Sequence, residues 1–172
     1  MKAMSHFKST AAWRLPALGI LFITVTLLTF APLQSHAQSE RTFSAKFITK
    51  FTSVVEYPFL HVTVNAVGKA ALMGRTRAAT DDQVVNLVDG SGTATYTLTG
   101  GNGDTLVLSL VVQPGGTINV DGGVIFSGTY TITGGTGKFT NTTGTGNFAG
   151  SGLFLTETDG IGAFAIVGTI AR

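Results

Sequence analysis

No cysteine occurs among the 172 residues. Thiol catalysis, cysteine-ligated zinc and iron–sulfur clusters are therefore excluded, and so is a lipid anchor carried on a cysteine. Histidine is nearly as scarce. His6 and His36 stand near the start, which leaves His61 alone in the rest of the chain. A site of several histidines is impossible there, and a Ser-His-Asp triad would have to use His61. No G-x-S-x-G elbow is present. Charge is sparse too, at 12%.

The start of the chain has its own logic. Lys2, Lys8 and Arg14 precede an apolar run from Leu15 to Phe30, and Ser35-His36-Ala37 follows. Basic residues, an apolar stretch and small residues at a cleavage position form the layout of a secretory signal peptide. The competing reading, an uncleaved anchor, has to work with a run short of the ~20 residues that span a bilayer comfortably. We expect residues 1–37 to form a helical signal peptide cleaved after Ala37. Residues 38–172 then form a single domain, secreted or periplasmic. With Lys2, Lys8 and Arg14 removed, eight of the 11 basic residues face nine acidic ones, so the charge is −1 rather than +2. That balance gives no footprint for nucleic acid or an anionic membrane. We expect no nucleic-acid partner and no membrane association after cleavage.

What is plentiful points to strands. Gly, Thr, Val and Phe dominate the mature segment, a composition that favours sheets and turns. In RTFSAKFITKF (41–51), Phe43, Ala45, Phe47 and Phe51 share one face with Thr49. Pro58 marks an edge, a bulge or a strand start, and a second strand is expected from about Leu60 to Met73. Gly74 to Gln83, the most charged stretch, reads as an exposed loop, with a short strand after it at 84–88. Ala94, Tyr96 and Leu98 alternate with threonines, and Leu106, Leu108, Leu110 and Val112 line the next strand. Turns are expected at 89–92, 100–104 and 113–116. Between Gly128 and Leu153, glycine-broken alternation reads as two or three antiparallel strands. Phe164, Ile166, Gly168 and Ile170 share a face of the last one. About eight short strands with no helix after the leader predict an all-β antiparallel barrel, preferred over a sandwich because closure removes edges.

Three stretches carry a resemblance. GKAALMGR (68–75), LTGGNGD (98–104) and YTITGGTGKF (130–139), the last followed by TGTGNFAGSG, resemble motifs of small secreted bacterial proteins of uncharacterised function. Those proteins look related to the allene oxide cyclase and dirigent barrels of plants. The resemblance covers most of the mature chain. It implies an eight-stranded, calycin-like barrel with an apolar interior, in families that often form trimers. Where the bacterial proteins often carry Thr and His, this chain has Ala71 and Leu72, so any role of that histidine is lost here. The matching residues specify a fold and transfer no catalytic side chain.

Candidate chemistry is thin. Glu56, Tyr57 and His61 lie close together in sequence and could supply an acid or base and a hydrogen-bond donor at a barrel mouth. The alternative is a strand start with exposed polar side chains. GGTGKFT lacks the phosphate-loop Ser/Thr and first Gly, and GTGNFAG lacks the third dinucleotide-binding Gly. Asn102-Gly103-Asp104, Asp89-Gly90 and Asp121-Gly122 offer too few oxygens for calcium and read as turns. We therefore expect no metal and no cofactor. Tyr57, Phe59, Tyr96, Phe126, Phe148, Phe154 and Phe164 either line a cavity or pack a core. The expected function is binding of a small apolar molecule inside the barrel. A cofactor-independent cyclase or isomerase of the allene oxide cyclase or dirigent kind is one alternative, and a structural or assembly protein of the cell envelope is another. A homo-oligomer, a trimer by resemblance, is the expected partner state.

Overall fold

The computed structural model describes residues 39–172, so the leader expected at 1–37 lies outside the described residues. Nine strands follow one another: β1 (Glu40–Glu56), β2 (Phe59–Ala70), β3 (Gly74–Asn86), β4 (Gly92–Gly100), β5 (Thr105–Val112), β6 (Thr117–Ile118), β7 (Gly123–Gly135), β8 (Thr145–Phe154) and β9 (Asp159–Ala171). A single 3-10 turn, Gly137–Phe139, interrupts them. The sheet runs β5-β4-β3-β2-β1-β9-β8-β7-β6, and β5 also pairs with β7. That last ladder, from Leu106↔Gly135 to Val112↔Gly128, closes eight strands into an antiparallel barrel. The two-residue β6 stays outside the ring, paired with β7 alone. The expected all-β barrel is what the chain forms.

Alternation explains most strands. Along β1, Phe43, Ala45 and Phe47 are buried while Thr42, Ser44, Lys46 and Ile48 are exposed. Ala94, Tyr96 and Leu98 of β4 and Leu106, Leu108, Leu110 and Val112 of β5 point inward in the same way. The outer side of β5 is open at Val111, 46% exposed. Pro58 sits in the tight turn between β1 and β2, where its missing N–H removes no ladder bond.

One stretch departs from expectation. Gly74 to Gln83 is not an exposed loop but the greater part of β3, which runs on to Asn86 and so absorbs the separate strand expected at 84–88. Its inward residues are Thr76, Ala78 and Thr80, all buried, while Arg75 and Arg77, on either side of Thr76, are exposed. Small and hydroxylated side chains on the inner face hide the usual apolar period, although the alternation of burial is intact.

The two ends of the barrel differ. One end carries the turn 71–73, the turn 101–104 and the connection 136–144. Phe43, Leu98, Leu106, Phe139 and Ile170 are fully buried in the layers nearest it. Lys138 Nζ and Arg172 lie 5.2 and 5.5 Å from the centre of the Phe139 ring, capping this end. Ala71 and Leu72 occupy the turn here, with Leu72 at φ 66°. The other end carries the connections 57–58, 87–91, 113–122 and 155–158 and is open.

Between the two, the interior is tight. Gly146 of β8 and Gly168 of β9 face each other in register. A side chain on Gly146 would strike the Tyr130 ring, and one on Gly168 the Tyr130 hydroxyl and the Thr145 carbonyl. Glycine is needed at both so that Tyr130 can lie across the ladder. The Tyr130 hydroxyl is buried there without a hydrogen-bond partner. An unsatisfied buried hydroxyl costs about 1–3 kcal/mol. Tyr130→Phe should therefore raise stability by about 1 kcal/mol in denaturant titration, and a loss of stability would show that the hydroxyl is satisfied in solution.

Candidate functional site

The open end leads into a cavity of about 500 Å³. That falls within the ~300–1,000 Å³ typical of small-molecule sites. Leu60, Val62 and Val64 of β2, Val85 of β3, Val112 of β5 and Phe51 of β1 form apolar wall. Phe126 and Phe154 stand near the mouth, with Phe154 edge-on to Phe51 at 5.0 Å. The floor is Tyr96 edge-on to Phe164 at 5.6 Å, and Phe164 stacks on Phe47 below it at 4.9 Å. Phe47 begins the filled half of the barrel.

Hydrogen bonds between connections hold the mouth. The Leu87 N–H donates to the Pro58 carbonyl at 2.8 Å, and the Gly115 N–H donates to the Asp89 carbonyl at 2.9 Å. The Phe154 N–H donates to the Gly122 carbonyl at 3.0 Å. Each tie joins segments distant in sequence, so the rim is braced rather than loose.

The polar feature of the interior comes from a bulge. Along β3, Val62 pairs with Gln83 but Val64 pairs with Thr80, so three steps on β3 oppose two on β2. The same excess appears against β4, between Ala79 and Gln83. One extra residue reverses which side of the strand faces in. Before the bulge Ala78 and Thr80 face inward, and after it Gln83 and Val85 do. Gln83 thereby lines the cavity, and the Tyr96 hydroxyl donates to its Oε1 at 3.0 Å. Nothing in the local residue pattern of TDDQVVN announces this bulge, so Gln83 could not be singled out beforehand.

Of the aromatic residues expected around a cavity, Tyr96, Phe126, Phe154 and Phe164 line it. Phe148 is buried beside Phe126, with ring centres 6.4 Å apart. Tyr57 and Phe59 point away, 80% and 43% exposed. Glu56, Tyr57 and His61 stand at the rim but outside the cavity wall. Leu60 and Val62 face in, so His61 between them faces out. There its Nδ1 donates to Asp82 Oδ1 at 2.9 Å, and its Nε2 lies 4.0 Å from Glu56 Oε2. The structure thus brings Glu56 and His61 together, adds Asp82 and leaves Tyr57 in solvent. Asp82 reaches His61 because the same bulge turns it outward.

No protein-family model and no curated protein sequence matches the chain. Among solved structures, the chain is similar to the pterocarpan synthase dirigent protein GePTS1, at 14% identity, over 77% of this chain and 87% of that one, with a TM-score of 0.45. The barrel itself rests on this chain's own closed ladder.

Chemically, the cavity offers hydrogen bonding in an apolar surround. Burial pushes the Tyr96 phenol well above its ordinary value of 10.0, and that of Tyr130 up to about 12. Both are therefore neutral donors at physiological pH, not bases. Asp89, at the rim, is the charged residue of the lining, and hydrogen bonds from the Ser91 hydroxyl and N–H hold its carboxyl below the usual range. The folded state keeps both phenols protonated, whereas the unfolded chain releases these protons near pH 10.0. Stability should therefore decline as pH rises past 10 and go on falling until the folded-state values are passed. Tyr130→Phe should show a shallower decline between pH 10 and 12 than the parent protein. Equal slopes in alkaline denaturation would show that Tyr130 ionises freely in the fold.

Proposed function

We propose that this protein is a secreted or periplasmic barrel that binds a small apolar molecule in the cavity at its open end. One observation carries the reading: a braced, mostly apolar, ligand-sized cavity in which the Tyr96 hydroxyl is bonded to Gln83 and Thr49 stands on the β1 wall. Such a site gives a ligand burial and one point of orientation. Among the described residues no carboxylate or imidazole lies in the inner wall to move a proton. A cyclase or isomerase reading would have to draw on shape and on neutral groups, the Tyr96 and Thr49 hydroxyls and the Gln83 amide. The signal-peptide layout expected at residues 1–37 supports placement outside the cytoplasm.

The test uses protein purified after expression from its full-length coding sequence. Native mass spectrometry should reveal a retained small apolar molecule. The fluorescent probe N-phenylnaphthylamine should bind with saturation. Val62→Phe, which fills the cavity from a wall position, should weaken the probe at least about tenfold, the effect of ~1.4 kcal/mol, while circular dichroism stays that of the parent. A probe that never saturates, or one indifferent to Val62→Phe, would remove this reading.

The outer wall supports a second reading, assembly with further copies of this chain. Ile48 is 67% exposed, Val67 53%, Ile125 62% and Val167 60%. Ladder partners join three of them: Val67 lies opposite Ile48, and the row continues through Ala163 and Ser151 to Ile125. A continuous exposed apolar row of this kind commonly marks an interface. Ile48→Glu should then lower the subunit number seen in native mass spectrometry, and a monomeric parent protein would dismiss the reading.

A further inference from the structure

The chemistry around the cavity narrows what it can hold, on the premise that the cavity is the binding site. We infer that the ligand is a neutral apolar molecule bearing one hydrogen-bonding oxygen, received by Gln83, and that carboxylates of the same size are rejected. Gln83 is turned into the cavity by the β3 bulge, and its Oε1 already accepts from the Tyr96 hydroxyl. The amide end left for a ligand is the NH2, a donor without charge. The lone pairs of the Tyr96 oxygen stand next to it. A ketone, aldehyde or ether oxygen accepts from that NH2, and an alcohol can also donate to the tyrosine oxygen. An alkane of equal size fills the cavity but leaves the NH2 unpaired in an apolar surround, which is unfavourable.

Charge disposes of the acids. Among the described residues no lysine, arginine or histidine lines the cavity. A buried carboxylate would have no counter-charge there. The mouth adds repulsion of the same sign. Glu56, Asp82, Asp89, Asp121, Glu157 and Asp159 stand in or beside the connections that frame it. Those connections (57–58, 87–91, 113–122 and 155–158) contain no lysine or arginine. Lys69 and Arg75 flank the closed-end turn 71–73, and Lys46, Lys50 and Arg77 are exposed on the outer wall between the two ends. An anion approaching the mouth therefore meets like charge first and finds no partner within.

The experiment is a displacement series against N-phenylnaphthylamine on the same full-length-derived protein. The competitors are a medium-chain methyl ketone, the carboxylate of the same chain length and the parent alkane. The ketone should displace the probe at a concentration about tenfold below the alkane, the factor that one buried hydrogen bond supplies. The carboxylate should be the weakest of the three. Gln83→Leu should erase the advantage of the ketone over the alkane, read as the ratio of their displacing concentrations, while the probe still binds with saturation. That outcome also shows that the variant is folded with its cavity intact. A carboxylate that competes as well as the ketone would overturn the inference, and so would a ketone advantage that survives Gln83→Leu. In both cases the probe still binds and the binding reading stands. If the probe itself fails to bind the parent protein, the binding reading falls and takes this inference with it.

Discussion

The ladder between β5 and β7 is the constraint on which the rest depends. Without it the sheet would end in two open edges, and exposed edges of unpaired N–H and C=O groups invite pairing between chains. With Leu106 to Val112 bonded to Gly135 to Gly128, every barrel strand has two neighbours and the interior has a fixed circumference. Eight strands enclose a volume that side chains nearly fill. Whether space remains then depends on side-chain size alone. In the closed half Phe43, Phe47, Tyr130 and Phe139 fill it, and facing glycines make room for Tyr130. In the open half the β2, β3 and β5 walls carry Leu, Val and Gln, the phenylalanines Phe51, Phe126 and Phe154 stand to one side, and about 500 Å³ is left.

Within that ring, one extra residue in β3 decides the character of the cavity. Parity along a strand is strict, so a single insertion exchanges inside for outside for everything beyond it. The wall of β3 changes from Ala78 and Thr80 to Gln83 and Val85, and Asp82 is sent outward to His61. Continued without the bulge, the pattern would put a carboxylate at the Tyr96 level of the cavity and the amide in solvent. The amide that takes its place is neutral, satisfies the tyrosine and keeps a donor for a guest.

These facts explain what was legible in the residues and what was not. Strands such as β4 and β5 announce themselves, because Ala94-Tyr96-Leu98 and Leu106-Leu108-Leu110 alternate with polar or smaller neighbours. The glycine-broken pair β7 and β8 was legible for the same reason. The strand β3 was not, since its buried face is Thr76, Ala78 and Thr80, which carry little hydropathy, while Arg75 and Arg77 give the segment the look of a loop. Of the candidate site, the aromatic floor was legible and the amide was not. Glu56, Tyr57 and His61 are neighbours in sequence and two of them are neighbours in space. Their side of the strand follows from the parity of Leu60 and Val62, which face the interior.

The separation of charge from cavity has a consequence for mechanism. A site that moves protons needs a base whose affinity lies near the working pH and within reach of the substrate. Here His61 and its two carboxylates lie on the outer wall, and the inner wall holds a phenol raised by burial and an amide that does not titrate. The barrel thus divides into a wet, acidic rim and a dry interior with neutral donors. On the binding reading proposed above, an apolar guest would exchange cavity water for apolar contact and leave the rim charges hydrated, so no buried charge would oppose it. The same division makes the cavity poor at acid–base chemistry on that guest. That division is the physical reason to propose the binding reading ahead of the cyclase reading.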